Sequence, residues 1–374
     1  MNDFTPARAD ESQRLQQIHF ARSAVMTEGR SLIGPGSLWQ ERSWIEQSWR
    51  RCLSMGHLPE HHVDFDVIAH EVSRRTEETH HVLLTVAKPL LSQLGQAIAT
   101  TRYFAILTDA RGVVIEVDGV IDRSDARADA IARVGVDLSE ESVGTSAIGA
   151  ALHEHRNVWL HRGEHFFADT SVYSCAGAPL WSPQGAVMGM LDLTGVDAEE
   201  RPELMHLAAQ SARGIENAMV EALPYALIVR VNWPGMSLAD VDDGLVALNT
   251  DGCVLGFNQA AAKIVSVKAE TGHANDVFAM PFERLFDAAQ NGKPCLDVPL
   301  WSGLRVNAAP LLKGHNVPRY AFVPQMPLRD AANNLIQQAI RETKGDVSEA
   351  ARKLGISRAT LYRKLAPPSK RHYP

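Results

Sequence analysis

The chain has 374 residues, of which 45% are hydrophobic, and a formal net charge of −7 at pH 7. This length predicts two or three globular domains, and the composition excludes a disordered or fibrous chain. The N-terminal stretch is polar and no apolar run approaches ~20 residues, so we expect neither a signal peptide nor a membrane-spanning helix, and a cytoplasmic location.

The cysteines and histidines do not form a recognisable metal site. The four cysteines lie far apart without a CxxC pair, which is against a zinc knuckle or a disulfide framework. Among the 15 histidines, the pairs His61-His62 and His80-His81 are sequence neighbours, which diverge by ~100° on a helix and rarely share one ion. We therefore expect no bound metal and no other cofactor.

Residues 1–82 are predicted to form an N-terminal helical region. Apolar residues recur three and four positions apart between residues 10 and 58, and Gly56 and Pro59 end the pattern. Within SWRRCLSMGHLPE, Trp49 and Arg50 are interpreted as packing this helix onto the next domain. The alternative is a role in binding a ligand or a partner.

Residues 83–223 alternate between strand-like and helical segments and predict an α+β sensor domain. FAILTDARGVVIEV predicts a hairpin that turns at residues 110–112, with Asp109 suited to the turn. A helix is expected to begin near Gly144, followed by the strand NVWLH. A second hairpin, turned by residues 182–185, precedes AVMGMLDLTG.

The segment from Trp159 to Cys175 is the candidate small-molecule site of this domain. A ligand site needs an apolar lining and a few placed polar groups, and this stretch supplies both. Hydroxyl or backbone donors at the start of the helix after Gly144 suit the same purpose. The alternative is an aromatic-rich core without a vacancy. The candidate ligand-binding residues are Thr145, Ser146, Trp159, His165, Phe166, Phe167, Tyr173, Ser174 and Cys175.

The helix predicted over Glu199–Leu223 has an apolar stripe with heptad-like spacing. Such a seam pairs two subunits in parallel, although its small residues keep the pairing weak. The alternative is that the stripe packs on its own sheet. The stripe consists of Leu204, Ala208, Ser211, Ile215, Ala218 and Ala222.

Residues 224–326 predict a second α+β domain. GLVALNTDGCVLGFNQAAAKIV predicts two strands turned at residues 250–252, followed by a helix near Asn258, and it resembles the start of a PAS domain. CLDVPL, LRVNAAPLL and RYAFVPQ are expected to supply the remaining strands. The central helices are poorly marked, and we interpret this domain as a transmitter or dimerisation module.

Residues 330–374 contain two short helical patterns separated by a tight turn. In GDVSEAARKLGISRATLYRKL, Gly355 suits a helix C-terminus and Ser357 suits the N-cap of the next helix, about Arg358 to Leu365. From Leu335 to Pro374 there are nine Lys or Arg and three Asp or Glu, so the tail carries +6 and the preceding residues −13. An acidic body with one basic module is typical of a protein that binds nucleic acid through that module.

This tail resembles the Fis-type helix-turn-helix of bacterial enhancer-binding regulators. The resemblance implies that the preceding helix, about Leu335 to Thr343, contributes to dimerisation. The alternative is a helical hairpin that packs on the rest of the protein, with its Lys and Arg side chains simply solvated. By the same resemblance, the DNA-contacting residues are Ser357, Arg358, Thr360, Tyr362, Arg363 and Lys364.

Other segments resemble the acetoin-operon activator family. SWRRCLSMGHLPE is similar to its N-terminal lead-in, and SVGTSAIGAAL, EHF, SCAGAPL and GMLDLTG are similar to its GAF domain. The resemblance implies a six-stranded antiparallel sheet that encloses a small-molecule cavity. AGAPL and GMLDLTG are expected to be chiefly sheet-core strands that carry little information about the ligand.

One expected part of such activators is missing from this sequence. There is no GxxxxGK[ST] loop to cradle the phosphates of ATP, and no GAFTGA segment. We therefore predict an ATPase-free, ligand-responsive transcriptional regulator that acts as a homodimer on double-stranded DNA. Its effector is predicted to be a small catabolic metabolite, either largely uncharged or the corresponding acid, and RNA polymerase or another regulator remains open as a further partner.

The residues also bear on two other functions, an enzyme and an adaptor protein. An enzyme is disfavoured because no hydrolase motif such as GxSxG surrounds the reactive side chains between His165 and Cys175. An adaptor that binds another regulator is compatible with the sequence. Whether the output is activation or repression is not readable.

Overall fold

The computed structural model describes residues 6–32, 39, 42–65, 70–314 and 347. The chain divides after Tyr320 into two compact units, and every described residue except Val347 belongs to the first. The architecture of the described part is α+β, as predicted, with two five-stranded antiparallel sheets. No helix in this part of the chain is long and apolar enough to cross a membrane.

The N-terminal region is helical, as its periodicity predicts. Helix α2 buries Trp49 completely, and the indole N–H donates to the backbone carbonyl of Glu164 at 2.8 Å. Arg50 remains partly exposed and pairs with Glu46 on its own helix. Trp49 thus packs α2 onto the next domain. The helices are α1 (Pro6–Arg22), a π-helix (Ser23–Thr27), α2 (Ser43–Ser54) and α3 (His70–Thr79).

The first sheet lies between two layers of helices and loops. Its strands are β1 (Tyr103–Asp109), β2 (Val114–Asp118), β3 (Val158–His161), β4 (Tyr173–Trp181) and β5 (Val187–Val196). The helices around it are α4 (His81–Ile98), α5 (Ala126–Ile131), α6 (Glu140–Val143), α7 (Ala147–Glu154) and α8 (Leu204–Glu221). The strand order in the sheet is β2-β1-β5-β4-β3. Helices α4 and α8 cover one face, while α5, α6 and α7 lie among the segments on the other.

Both predicted hairpins are present. The carboxylate of Asp109 accepts hydrogen bonds from the backbone N–H groups of Arg111 and Val113, both at 2.9 Å, which closes the first turn. Gly112 and Gly185 have φ values of +88° and +81°, a region that glycine occupies without steric cost. Turn chemistry readable in the sequence therefore sets the β1-β2 and β4-β5 connections.

The implied sixth strand is reduced to a single bridge. The described residues contain five strands in this sheet, and Asp137 forms only an isolated antiparallel bridge with Val113. The segment from Gly135 to Leu138 makes backbone hydrogen bonds beside β2, but α6 begins at Glu140. The chain thus leaves the sheet edge before a full strand can form, so the implied count of six was wrong for the described residues.

The heptad-like stripe of α8 is used inside the chain. Leu204, Ala208, Ser211 and Ile215 are buried, and the helix packs on β4, β5 and α4. These side chains are therefore unavailable for a parallel pairing of two subunits. The structure supports the alternative, in which the stripe packs on its own sheet.

The second sheet has the strand order β8-β7-β6-β10-β9. Its central strand β6 (Leu227–Asn232) was not predicted, because the first strand of this domain was expected at Gly244. RYAFVPQ, expected to supply a strand, lies outside the described residues. The PAS-like interpretation stays a prediction. The elements are β6 (Leu227–Asn232), β7 (Gly244–Leu248), β8 (Val254–Phe257), α9 (Gln259–Val265), α10 (Ala274–Val277), α11 (Glu283–Gln290), β9 (Leu296–Pro299) and β10 (Arg305–Leu312).

Candidate functional site

A small cavity of about 30 Å³ lies on the face of the first sheet opposite α4 and α8. Strands β1, β4 and β5 supply one wall, and the short helices α5 to α7 and nearby loops supply the rest. The lining is mostly apolar with several hydroxyl, thiol and carboxyl groups. It consists of Phe65, Ile106, Ile131, Leu138, Val143, Ser146, Ala147, Ile148, His165, Thr170, Tyr173, Cys175, Asp192 and Thr194.

Four of the nine predicted ligand-binding residues line this cavity: Ser146, His165, Tyr173 and Cys175. Tyr173 and Cys175 are two positions apart on β4, so their side chains share one face of the sheet. Ser146 is the N-cap of α7, and its hydroxyl accepts from the Gly149 N–H at 3.0 Å. The structure thus brings residues from two sequence segments to one site.

The other five predicted residues do not line the cavity. The hydroxyl of Thr145 bonds the Ser48 hydroxyl at 2.7 Å, and Ser174 bonds the His161 ring at 2.8 Å. Trp159 pairs with Ala176 in register and lies beneath the Arg42 guanidinium, 3.7 Å from the ring centroid. Phe166 and Phe167 are also buried outside the lining and pack edge-to-face against each other.

Sequence reasoning missed Asp192 and Thr194, although β5 places both on the cavity wall. The segment GMLDLTG was expected to be chiefly a sheet-core strand, and it lies within the buried strand β5, from which these two side chains face the cavity. In a strand that alternates apolar and polar residues, the apolar side chains point to one face and the polar side chains to the other. An acidic residue in a buried strand was therefore the signal that could have identified this wall of the cavity. Asp192 is 1% exposed.

Hydrogen bonding assigns the protonation of His165. Its Nδ1 lies 2.9 Å from the backbone carbonyl of Arg162, which can only accept, so Nδ1 carries the proton and Nε2 is an acceptor. Burial lowers the pKa of His165 to about 4, which keeps the ring neutral at pH 7. No partner of Nε2 is found among the described residues.

Three polar side chains on β4 and β5, those of Cys175, Thr194 and Asp192, form a buried hydrogen-bonded chain in the cavity wall. The Cys175 thiol is 3.3 Å from the Thr194 hydroxyl, which in turn donates to Oδ2 of Asp192. Burial raises the pKa of Cys175 well above its usual value, so the thiol stays protonated. Burial also raises the pKa of Asp192 to about 7, against the smaller lowering effect of the Thr194 hydrogen bond. Oδ1 of Asp192 has no partner in the described part of the chain.

Replacing Asp192 by Asn should change how stability depends on pH. A folded-state pKa near 7, above the usual value of 3.8, means that the folded chain binds the Asp192 proton more tightly than the unfolded chain does. Its contribution to stability is complete below pH ~4 and is lost as the pH rises towards 7. We expect Asp192→Asn to gain stability relative to the wild type progressively between about pH 4 and 7, and the difference to level off above about pH 8.

Thermal unfolding of both proteins across this range checks the prediction. Other titrating groups, including His165 and Glu216, are present in both chains and cancel in the difference. A difference in melting temperature that is independent of pH would contradict the raised pKa of Asp192.

The loop that carries His165 is held by the N-terminal region. The carboxylate of Glu164, completely buried, is paired with the guanidinium groups of Arg14 and Arg42, each at 2.5 Å. Burial alone raises the pKa of Glu164, but Arg42 and Arg14 outweigh it and hold the pKa below its usual value. Arg22 donates to the backbone carbonyls of the same loop.

The remaining predictions concern other parts of the chain. All six predicted DNA-contacting residues, from Ser357 to Lys364, and the helix expected from Leu335 to Thr343 lie outside the described residues, so their roles stay predictions. No group of three or more metal-binding side chains occurs among the residues that the structure describes.

Two family models match separate parts of the chain. Residues 328–366 match the model "Bacterial regulatory protein, Fis family", and residues 40–217 match the N-terminal domain of MimR. The two matches correspond to the tail and to the part of the chain from α2 into α8, which contains the first sheet.

Two curated relatives are named as regulators connected with acetoin. The acetoin catabolism regulatory protein of Cupriavidus necator is 28% identical over 65% of this chain and 37% of its own length. The acetoin dehydrogenase operon transcriptional activator AcoR of Bacillus subtilis is 31% identical over 54% of this chain and 31% of its own length. The chain thus spans about a third of the length of these relatives.

Similar solved structures include the DhaR(N)-DhaL complex of E. coli, with 14% identity, a TM-score of 0.43 and coverage of 72% of this chain and 99% of that chain. A GAF domain from an Acinetobacter phosphoenolpyruvate-protein phosphotransferase has 19% identity, a TM-score of 0.25 and coverage of 41% and 92%.

Proposed function

This chain is a homologue of the acetoin-operon regulators with a Fis-type helix-turn-helix segment near its C-terminus, and we propose that it is a ligand-responsive transcriptional regulator. Residues 83–223 are its GAF-like sensor, residues 224–326 connect sensor to output, and residues 330–374 bind DNA as a symmetric pair. The observation that carries the sensing role is the buried cavity lined by unpartnered polar groups.

The chemistry of the wall favours a neutral ligand. No Lys or Arg lines the cavity in the described part of the chain, whereas Asp192 carries partial negative charge near pH 7. A bound anion would therefore lack a positive partner and would lie close to a carboxylate. Of the two effector classes predicted from the sequence, an uncharged metabolite and the corresponding acid, we propose the uncharged metabolite. Nε2 of His165 is an acceptor, and a ligand hydroxyl would satisfy it.

The size of the cavity implies that binding moves a wall. A volume of about 30 Å³ holds one or two water molecules rather than an organic metabolite. An effector with several heavy atoms therefore binds an expanded state better than the described one, and this difference in affinity is what shifts a conformational equilibrium. The proposal thus couples occupancy to a change in the packing around α5 to α7.

Acetoin is the first compound to test, because it appears in the names of two relatives. We expect saturating acetoin to raise the melting temperature of the full chain, since a ligand that binds only the folded state stabilises it by mass action. Thr194→Val, which removes a hydroxyl from the wall while keeping the side-chain shape, should reduce that shift by half or more.

Thr108→Val is the matched control. Thr108 is a buried threonine on neighbouring strand β1 that does not line the cavity, so the same chemical change there should leave the acetoin-induced shift intact. Equal loss in both variants would argue against binding in this cavity. If acetoin gives no shift, other short-chain hydroxy ketones and diols test the ligand class.

A further inference from the structure

The N-terminal helix α1 holds the loop between β3 and β4 through two side chains: Arg14 pairs with the Glu164 carboxylate, and Arg22 binds the loop backbone. The guanidinium of Arg22 donates to the carbonyls of Gly163 at 2.9 Å and Phe166 at 2.8 Å, and also to the carbonyl of His165. Three carbonyls within four residues thus converge on one planar donor. Only backbone groups are held, so this contact fixes the path of the loop.

That loop matters because it carries a cavity residue. His165 lines the cavity, and the residue is only 2% exposed to solvent. The position of Nε2 depends on where the backbone of residues 163 to 166 runs. A side chain that fixes this backbone therefore fixes the acceptor offered to a ligand.

We propose that Arg22 is a positioning residue for the effector cavity, which it reaches through the carbonyls on either side of His165. The inference rests on the proposed sensing function and extends it by making α1 a structural part of the ligand site. Ligand binding and the docking of α1 are then reciprocally coupled, because each stabilises the same loop conformation.

The chemistry of Arg22 supports positioning over simple ion pairing. Arg22 takes part in no ion pair among the described residues, whereas its neighbour Arg14 pairs with two carboxylates. Its burial lowers its pKa against a weaker opposing effect of Glu60. A partly buried guanidinium that donates to three backbone carbonyls fixes their relative positions, so a geometric role explains Arg22 better than ion pairing.

The local backbone is also unusual at this point. Helix α1 ends at Arg22, and the chain continues as a π-helix over Ser23–Thr27. Inserted π-helical turns are rare and occur frequently at functional sites. The irregular turn begins immediately after the side chain that grips the loop.

The test is NMR of histidine-labelled full chain, with ring signals assigned through His165→Gln and His161→Gln. His161 is an internal reference: it is equally buried, bonds Ser174 and has a pKa lowered by burial to about 4. In the wild type neither ring should titrate between pH 8 and 5.5. In Arg22→Gln the His165 ring should begin to titrate within this range, while the His161 signal stays unchanged.

Arg22→Lys keeps the positive charge, which itself lowers the pKa of His165, but lacks the planar fork that reaches three carbonyls. A His165 shift that persists in this variant reports the lost positioning, whereas a shift seen in Arg22→Gln and absent in Arg22→Lys reports the charge alone and overturns the proposal. Arg22→Lys also serves as the second variant if Arg22→Gln does not fold. An unchanged His165 signal overturns the proposal, and so does a joint shift of His161 and His165, because that indicates general loosening.

Calorimetric titration with acetoin provides a second readout. We expect about tenfold weaker affinity in Arg22→Gln, equivalent to ~1.4 kcal/mol, and unchanged affinity in Arg30→Gln, a control at an exposed arginine of the same region. Unchanged affinity in Arg22→Gln overturns the proposal. If even the wild type does not bind acetoin, the proposed effector fails while the ligand-free His165 signal still decides the role of Arg22.

Discussion

Deleting the residues after Asp330 should abolish sequence-specific DNA binding while leaving the first compact unit folded. The deleted segment contains the Fis-family match and the basic tail, so both the base-reading side chains and most of the phosphate contacts are lost. Binding sites are obtained by selecting genomic fragments with the full chain, and affinities for them are measured by fluorescence anisotropy. Unchanged affinity after the deletion would contradict the assignment of DNA binding to the tail.

A single substitution separates base reading from general attraction. If Arg358 contacts a base edge, Arg358→Ala should weaken binding to the selected site by ~1 to 3 kcal/mol and relax the preference at one base position. Arg371→Ala removes the same charge outside the helix-turn-helix signature and should weaken all sequences alike. Titrations at several salt concentrations distinguish the two effects. A full chain that selects no specific site would favour the adaptor interpretation.

Replacing Glu164 by Gln should be strongly destabilising. The substitution leaves the guanidinium groups of Arg14 and Arg42 without the carboxylate that neutralises them in a largely buried site. Breaking a buried pair by removing one partner typically costs about 3 to 5 kcal/mol, which is a large share of the stability of an ordinary domain. Urea unfolding at pH 7 measures the loss.

The acid dependence should change as well. Because the folded-state pKa of Glu164 is depressed, its contribution is present above the unfolded value near 4.5 and is lost as the pH falls through the folded value. Glu164→Gln should therefore approach the wild type in stability at low pH. Glu200→Gln is the control, since Glu200 pairs with Arg14 alone at the partly exposed rim and should cost less than about 1 kcal/mol. Equal losses in the two variants would contradict a buried Glu164 cluster.

Local signals predicted both hairpins of the first sheet and the helices α7 and α8. The turn at Asp109–Gly112 depends on side-chain acceptors and on a glycine conformation, both of which act within a few residues. The strand β6 was missed because its short apolar run follows directly on a long helix and includes Arg230. That arginine is 2% exposed and pairs with Glu221 and Asp243, nine and thirteen positions away and outside β6, and this spacing matches neither helix nor strand periodicity.

In the candidate site, too, some features follow from the local sequence and others only from tertiary contacts. Strand alternation explains why Tyr173 and Cys175 line the cavity while Ser174 does not, and it would have identified Asp192 if it had been applied to β5. The exclusion of Trp159 was not readable, because its environment is set by Arg42 from the N-terminal region.

By itself, the sequence determined the α+β class, the two hairpins of the sensor and the match of the tail to a DNA-binding family, because periodicity, turn chemistry and motif spacing act over short distances. The tertiary structure alone decided which polar side chains meet in the cavity, that the stripe of α8 is buried within its own chain, and that Arg22 holds the loop of His165. These outcomes depend on contacts between residues more than a hundred positions apart or on the packing of whole elements, for which a single sequence carries no local signal.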